Sequence, residues 1–286
     1  MSGTFDINCD MGEGFGNLRM GDDSAVIPLI STANLACGFH AGDPLTMMNT
    51  VAVAKEAGVA VGTHPGLPDL LGFGRRLISV SPRDLTSYIV YQVGALEGFL
   101  SAVGLPLNHV KPHGALFHLL RDALLAEAAI DAIVAVAPGA AVYWAGPLDR
   151  ELFAGRAAAR GICVCTEAYP DLDYSDDGSL IVEREKRPVS PELVYDRVAE
   201  IISNKTLTTR TGRKLSMNVD SVCVHSDSPN ALCHCGCCSQ GSGGLRPESC
   251  VRDGATARNK IGGGQNSCSA DSRHLLPSAN TRPASL

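Results

Sequence analysis

Short apolar runs recur along the first 225 residues, and six of the seven lead into a polar or titratable side chain. They fall at 4–9, 34–37, 59–63, 108–111, 140–145, 162–166 and 221–225. Runs this short, bounded by glycine and polar residues, predict buried strands. Longer segments with helix punctuation lie between them. Asp43-Pro44 supplies a capping carboxylate and a proline for the first turn, and Gly58 closes the helix predicted over 45–57. Ser81-Pro82 opens another helix that stops at Gly104, and Ser190-Pro191 opens one running to 202. Further helices are predicted at 21–30, at 115–135 and from Pro147 to 159, while 204–220 reads as a polar insertion loop.

Seven strands alternating with helices predict a parallel sheet covered by helices, either doubly wound or closed as a barrel. The titratable residues favour the seven-stranded β/α barrel. Asp10, Glu13, His40, His64, Lys111, His113, Glu167, His225 and Asp227 all sit at or just past the carboxyl ends of predicted strands. A barrel gathers all its strand ends around one mouth, whereas a doubly wound sheet concentrates its site at one switch point.

The pattern changes at Ala231. From there to Leu286 the chain is rich in Cys, Gly and Ser without apolar periodicity, which predicts disorder or the product of a shifted reading frame. The barrel domain is therefore expected to span 1–230 and to lack its last helix. Cys233, Cys235, Cys237 and Cys238 have no second, well-separated cysteine pair, so their spacing does not favour a zinc site.

Composition narrows the function class. At 286 residues and 45% hydrophobic, the chain can bury a large core. A net charge of −6 with no basic run argues against nucleic acid as a partner. No stretch approaches the roughly 20 apolar residues of a membrane span, and the first residues lack the features of a signal peptide, so the cytoplasm is the expected location. Six of eleven cysteines follow Leu232; Cys9, Cys37, Cys163, Cys165 and Cys223 read as buried reduced thiols.

Among the candidates, His109 and His113 would lie roughly 13 Å apart along one strand face, too far to share a metal. His109 is read as structural, and Lys111 with His113 as the functional pair. A buried lysine needs an anion, supplied by Asp10, Glu13 or a ligand carboxylate or phosphate. His40 and His64 end consecutive strands. With Asp10 they would either hold a divalent metal or act as base and oxyanion donor without one. Asp43 is either a helix cap or a substrate contact, and Arg75-Arg76 either an anion contact or a surface pair.

Five ordered blocks carry a family resemblance: Asp6-Ile-Asn-Cys-Asp-Met-Gly-Glu-Gly-Phe-Gly16, Ala33-Asn-Leu-Ala-Cys-Gly-Phe-His-Ala-Gly-Asp43, Gly62-Thr-His-Pro-Gly-Leu-Pro-Asp69 with Gly72-Phe-Gly-Arg-Arg76, His109-Val-Lys-Pro-His-Gly-Ala-Leu116, and Val222-Cys-Val-His-Ser-Asp227. In these the chain resembles the LamB/YcsF family, the A subunit of ATP-dependent 5-oxoprolinase. Leu172 and Ser226 depart from it, standing where that family carries an arginine and a glycine. The resemblance implies a β/α barrel of the glycoside hydrolase/deacetylase type. It also implies cleavage of 5-oxo-L-proline to L-glutamate with ATP hydrolysis, in a complex with B and C subunits. ATP would be used through the assembled complex, since the chain has no Walker-type loop.

On that reading Lys111 and Arg75 hold phosphate or carboxylate, and His40, His64 and Glu13 prepare water. His113 would protonate the leaving nitrogen, and Asp10 completes the catalytic set. Asn8, Asp43, Glu167, His225 and Asp227 join Arg75 as substrate contacts. Two other readings are a stand-alone metal-dependent amide or deacetylase-type hydrolase and a non-catalytic subunit that binds a small carboxylate.

Overall fold

Seven parallel strands close on themselves, because the first pairs with both the second and the last. In chain order they are β1 (Thr4–Met11), β2 (Thr32–Ala36), β3 (Ala60–His64), β4 (His109–Val110), β5 (Ala141–Ala145), β6 (Val164–Ala168) and β7 (Ser221–His225). The structure, a computed structural model, describes residues 4–145, 150–181, 188–228, 230–241 and 246–247. Closure is in register, with Asp6 opposite Ser221 and Asp10 opposite His225. The expected seven-stranded β/α barrel is therefore the fold.

The connecting helices are α1 (Asp23–Val26), α2 (Pro44–Ala57), α3 (Pro82–Val103), α4 (Gly114–Leu119), α5 (Ala123–Val136), α6 (Gly155–Ala159) and α7 (Pro191–Asn204). The predicted punctuation operates as read. Asp43, Ser81 and Ser190 each cap a backbone N–H with the side chain, and Gly58 and Gly104 stop α2 and α3 in the left-handed conformation. The single helix expected at 115–135 is split into α4 and α5 by a turn, with Asp122 capping α5. The segment 204–220 holds an antiparallel hairpin, Thr206–Thr208 with Lys214–Ser216, in place of a plain loop. No helix among the described residues is long and apolar enough to cross a membrane.

The seventh unit overturns the expectation of a missing helix. Ala231–Gly241 is helical (α8) and packs against α7, β7 and β1. Its buried residues are Ala231, His234, Cys235 and Cys238, the spacing of one helix face. Cysteine buries as a small hydrophobe, so a run that looks compositionally odd still supplies an apolar stripe. Cys235 lies against Cys9 on the outer face of β1, and this contact together with burial raises the Cys9 thiol well above its ordinary pKa. The ordered domain thus extends beyond 230, and the disorder expected for 248–286 lies outside the described residues. Of the five earlier cysteines, Cys9, Cys37 and Cys223 are buried free thiols, but Cys163 is exposed and Cys165 is disulfide-bonded.

Outward-facing strand residues such as Ile7, Cys9, Met11, Val61 and Val222 pack under the helices. The barrel interior is polar instead, set by the alternation Asp6, Asn8, Asp10 along β1. At the bottom, Asp6 accepts hydrogen bonds from Ser31, Thr32, Tyr143 and Ser221. Burial raises its pKa in spite of those four hydroxyls. In the middle, Asn34 donates to Asn8 (2.7 Å) and Asp10 (2.8 Å), and accepts from His109 Nε2 (2.6 Å). His109 is structural, as read from the sequence. Its ring fills the space beside Gly62, where a Cβ would come within 2.1 Å of it.

Candidate active site at the barrel mouth

The top of the interior divides into two joined clusters. The first centres on Lys111, just past β4 and 3% exposed. Its ammonium donates to Asp10 Oδ1 (2.9 Å), Asn8 Oδ1 (3.2 Å) and Cys223 Sγ (2.9 Å), with Glu167 Oε1 at 3.4 Å. Burial alone would strip its proton, but Asp10, Cys223 and Glu167 hold its pKa well above the usual lysine value. Burial likewise opposes charge on Asp10, and His64 and Lys111 outweigh it, leaving the carboxyl well below its ordinary range. The anions for Lys111 are thus Asp10 and Glu167; Glu13 faces elsewhere.

The second cluster is Glu13, His40, His64 and His113, all buried, each offering a donor atom within 4.8 Å of the others. His64 Nδ1 donates to the Lys111 carbonyl at 2.8 Å, and His113 Nε2 to the Phe73 carbonyl at 2.8 Å. The remaining nitrogens, His64 Nε2 and His113 Nδ1, face each other at 3.0 Å. His40 stacks on His113 with ring centroids 3.8 Å apart, and its Nε2 is 3.7 Å from Glu13 Oε1. Burial, with neighbouring histidines, lowers the pKa of both His40 and His113 well below the usual value. The clusters meet where His64 Nε2 lies 3.3 Å from Asp10 Oδ2.

Backbone makes room for this packing. Gly66 and Gly74 pass so close that a Cβ on either would fall 2.4 Å and 2.6 Å from His40 atoms. Gly74 also adopts φ +63°, which other residues rarely do. The loop between these glycines carries Phe73 over the histidines, and Arg75 follows directly. Arg75 lies 5.0 Å over the Phe73 ring and 3.0 Å from Asp227, tying the loop to the rim beyond β7. On that rim His225 Nδ1 pairs with Asp171 at 3.0 Å and Nε2 lies 3.9 Å from Asp10.

Residues 5–238 match the family described as LamB/YcsF. The chain belongs to the LamB/YcsF family. It is 45% identical over 229 residues to the A subunit of 5-oxoprolinase from Syntrophobacter fumaroxidans, covering 79% of this chain and 89% of that protein. It is 43% identical over 231 residues to "Lactam utilization protein lamB" of Emericella nidulans, again 79% and 89%. Among solved structures, the lactam utilization protein from Thermus thermophilus superposes with a TM-score of 0.78 at 36% identity. That match covers 86% of this chain and 99% of the other.

Within this LamB/YcsF barrel the mouth gathers Asp10, Glu13, His40, His64, Lys111, His113, Arg75, Glu167, His225 and Asp227. Two of the expected substrate contacts are placed otherwise. Asp43 accepts from the Thr46 amide (2.8 Å) and the Gly16 amide (2.7 Å), so its oxygens serve the start of α2 and the β1–α1 loop. Asn8 lies below the mouth and positions Glu167 (2.9 Å) and Lys111. Arg76 binds Asp69 within its own loop. Asp10 Oδ1 is taken by Lys111 and Asn34 while its Oδ2 faces His64, and the donor atoms that gather within 4.8 Å of one another around His40 and His64 are those of Glu13 and His113. At Leu172 the loop is held through its backbone, with Arg197 of α7 donating to the carbonyls of Pro170 (3.1 Å) and Leu172 (2.9 Å).

Sequence reasoning passed over Asn34, Cys223 and Tyr169. Asn34 and Cys223 were signalled by the alternation that points every second strand residue inward. Tyr169 donates to Glu167 at 2.7 Å and lies under the Lys111 ammonium, a placement that depends on the fold of the β6 loop.

Proposed function

We propose that this chain is the A subunit of an ATP-dependent 5-oxoprolinase that opens the lactam of 5-oxo-L-proline to L-glutamate together with B and C subunits. The observation that carries this reading is the Lys111–Asp10–His64 contact line, a buried cation and a buried imidazole joined through one carboxylate, in a barrel 45% identical to the A subunit of a 5-oxoprolinase. An unstrained lactam is a poor electrophile. Phosphorylation of its oxygen by ATP, with release of ADP, makes the ring carbon open to water. C–N cleavage then needs a proton on the departing nitrogen and leaves an acyl phosphate, which a second water hydrolyses to the carboxylate and inorganic phosphate.

Lys111, with Arg75 at the rim, supplies positive charge for the phosphate or carboxylate. Glu13, His40 and His64 lie where water is deprotonated. His113 does not fit the role of acid, because burial keeps it neutral and its one N–H is spent on the Phe73 carbonyl. His225, set between Asp171 and Asp10, takes that role.

The test is ATP-dependent glutamate release from 5-oxoproline by the chain with candidate B and C subunits. Release is expected only from the assembled complex, and to fall at least about 100-fold with Lys111→Ala or His64→Ala. Full activity in both variants would overturn the assignment.

A further inference from the structure

The hydrogen bonds of the mouth leave lone pairs facing one another at its centre. His64 and His113 each spend one ring N–H on a backbone carbonyl, so in their neutral forms the nitrogens that meet at 3.0 Å are both acceptors. Two acceptors at that distance repel unless a cation or a shared proton lies between them, and Asp10 Oδ2, 3.3 Å from His64 Nε2, adds a third acceptor beside them. His40, fully buried, has no hydrogen-bond partner on either ring nitrogen. Its neighbour in the cluster is the buried carboxylate of Glu13. A buried imidazole without partners is a cost that a folded chain rarely carries without a reason.

We infer that Glu13, His40, His64 and His113 form a binding site for one divalent first-row transition ion of the zinc type. The donor set is three imidazoles and a carboxylate, which suits such an ion and not magnesium or calcium. Bonds of about 2.0–2.1 Å would set two tetrahedral nitrogen ligands roughly 3.3 Å apart, close to the His64–His113 separation. The outer contacts also match a metal centre, since the carbonyls of Lys111 and Phe73 fix the tautomer that presents a lone pair inward. The other compact donor group, Asp10, Cys223 and His225, is a different case, because the Lys111 ammonium already lies against Asp10 and Cys223. This site rests on the geometry of the four side chains and holds whichever reaction the barrel performs.

The test uses the full chain, purified without chelator and analysed for metals, then stripped and reconstituted with cobalt(II). One ion per chain is expected, with visible d–d absorption of a four- or five-coordinate centre. No thiolate-to-cobalt charge-transfer band should appear, which separates this site from the cysteines of α8. His40→Gln and Glu13→Gln should each weaken cobalt binding at least about tenfold. His40→Gln loses no hydrogen bond to protein, so the variant is expected to fold, and its circular dichroism and melting curve check this. Three results would overturn the site. They are no uptake of zinc or cobalt by the folded chain, unchanged affinity in the folded variants, or imidazole nitrogen resonances showing that His64 is doubly protonated and shares its proton with His113 or Asp10.

Discussion

Lys111 Nζ and Asp10 Oδ1 lie 2.9 Å apart across the barrel interior, one just past β4 and the other near the end of β1. Neither has water to fall back on, so each depends on the other for its charge. Against burial, Asp10 is the chief group holding the lysine's pKa up, while His64 and then Lys111 draw the aspartate's pKa down.

Replacing Lys111 by Met leaves Asp10 and Glu167 buried without their cation. A loss of about 3–5 kcal/mol in unfolding free energy is expected, as for other buried pairs broken on one side. Urea unfolding of Lys111→Met measures it, and Asp10→Asn in the same background should recover part of the loss.

Asp43 serves α2 and not the mouth. Asp43→Ala should cost about 1 kcal/mol of stability and leave the assembled complex active. A collapse of activity with stability intact would return Asp43 to the substrate.

His109 gives a pH signature. Burial, reinforced by Lys111 and His64 and opposed by Asp10, holds its pKa well below the ordinary value. In the unfolded chain it titrates at about 6.5, so below that pH the unfolded state takes up a proton that the folded state refuses. Stability should therefore fall as pH drops through this range, by up to about 1.4 kcal/mol per pH unit from this ring. His109→Gln should remove that increment from the slope of urea midpoint against pH.

The helix that closes the barrel can be tested by two cysteines. Cys238 is buried and Cys233 exposed. Cys238→Asp should destabilise by at least about 3 kcal/mol, and Cys233→Asp by no more than about 0.5 kcal/mol. Equal effects would argue against the packed face of α8.

Much of this barrel is legible in the chain. Asp43-Pro44 and Gly58 mark the ends of α2, and Ser81-Pro82 and Gly104 those of α3, because capping and left-handed stops are local chemistry. The strand ends bearing His64, Lys111 and His225 are equally local. Their meeting at one mouth follows once the sheet is closed. The helix α8 was not legible, since its buried face is made of Ala231, His234, Cys235 and Cys238 within a compositionally unusual run.

What the chain alone determined is which residues reach the mouth. Which of them touch was decided only by the fold. Asp10 lies between Lys111 and His64, Glu13 and His113 join His40 and His64, and Asp43 turns back to its helix. These choices depend on close distances between residues far apart in sequence. Barrel closure and the passage of Gly66 and Gly74 against His40 set those distances, and a pattern of residue types along the chain does not encode them.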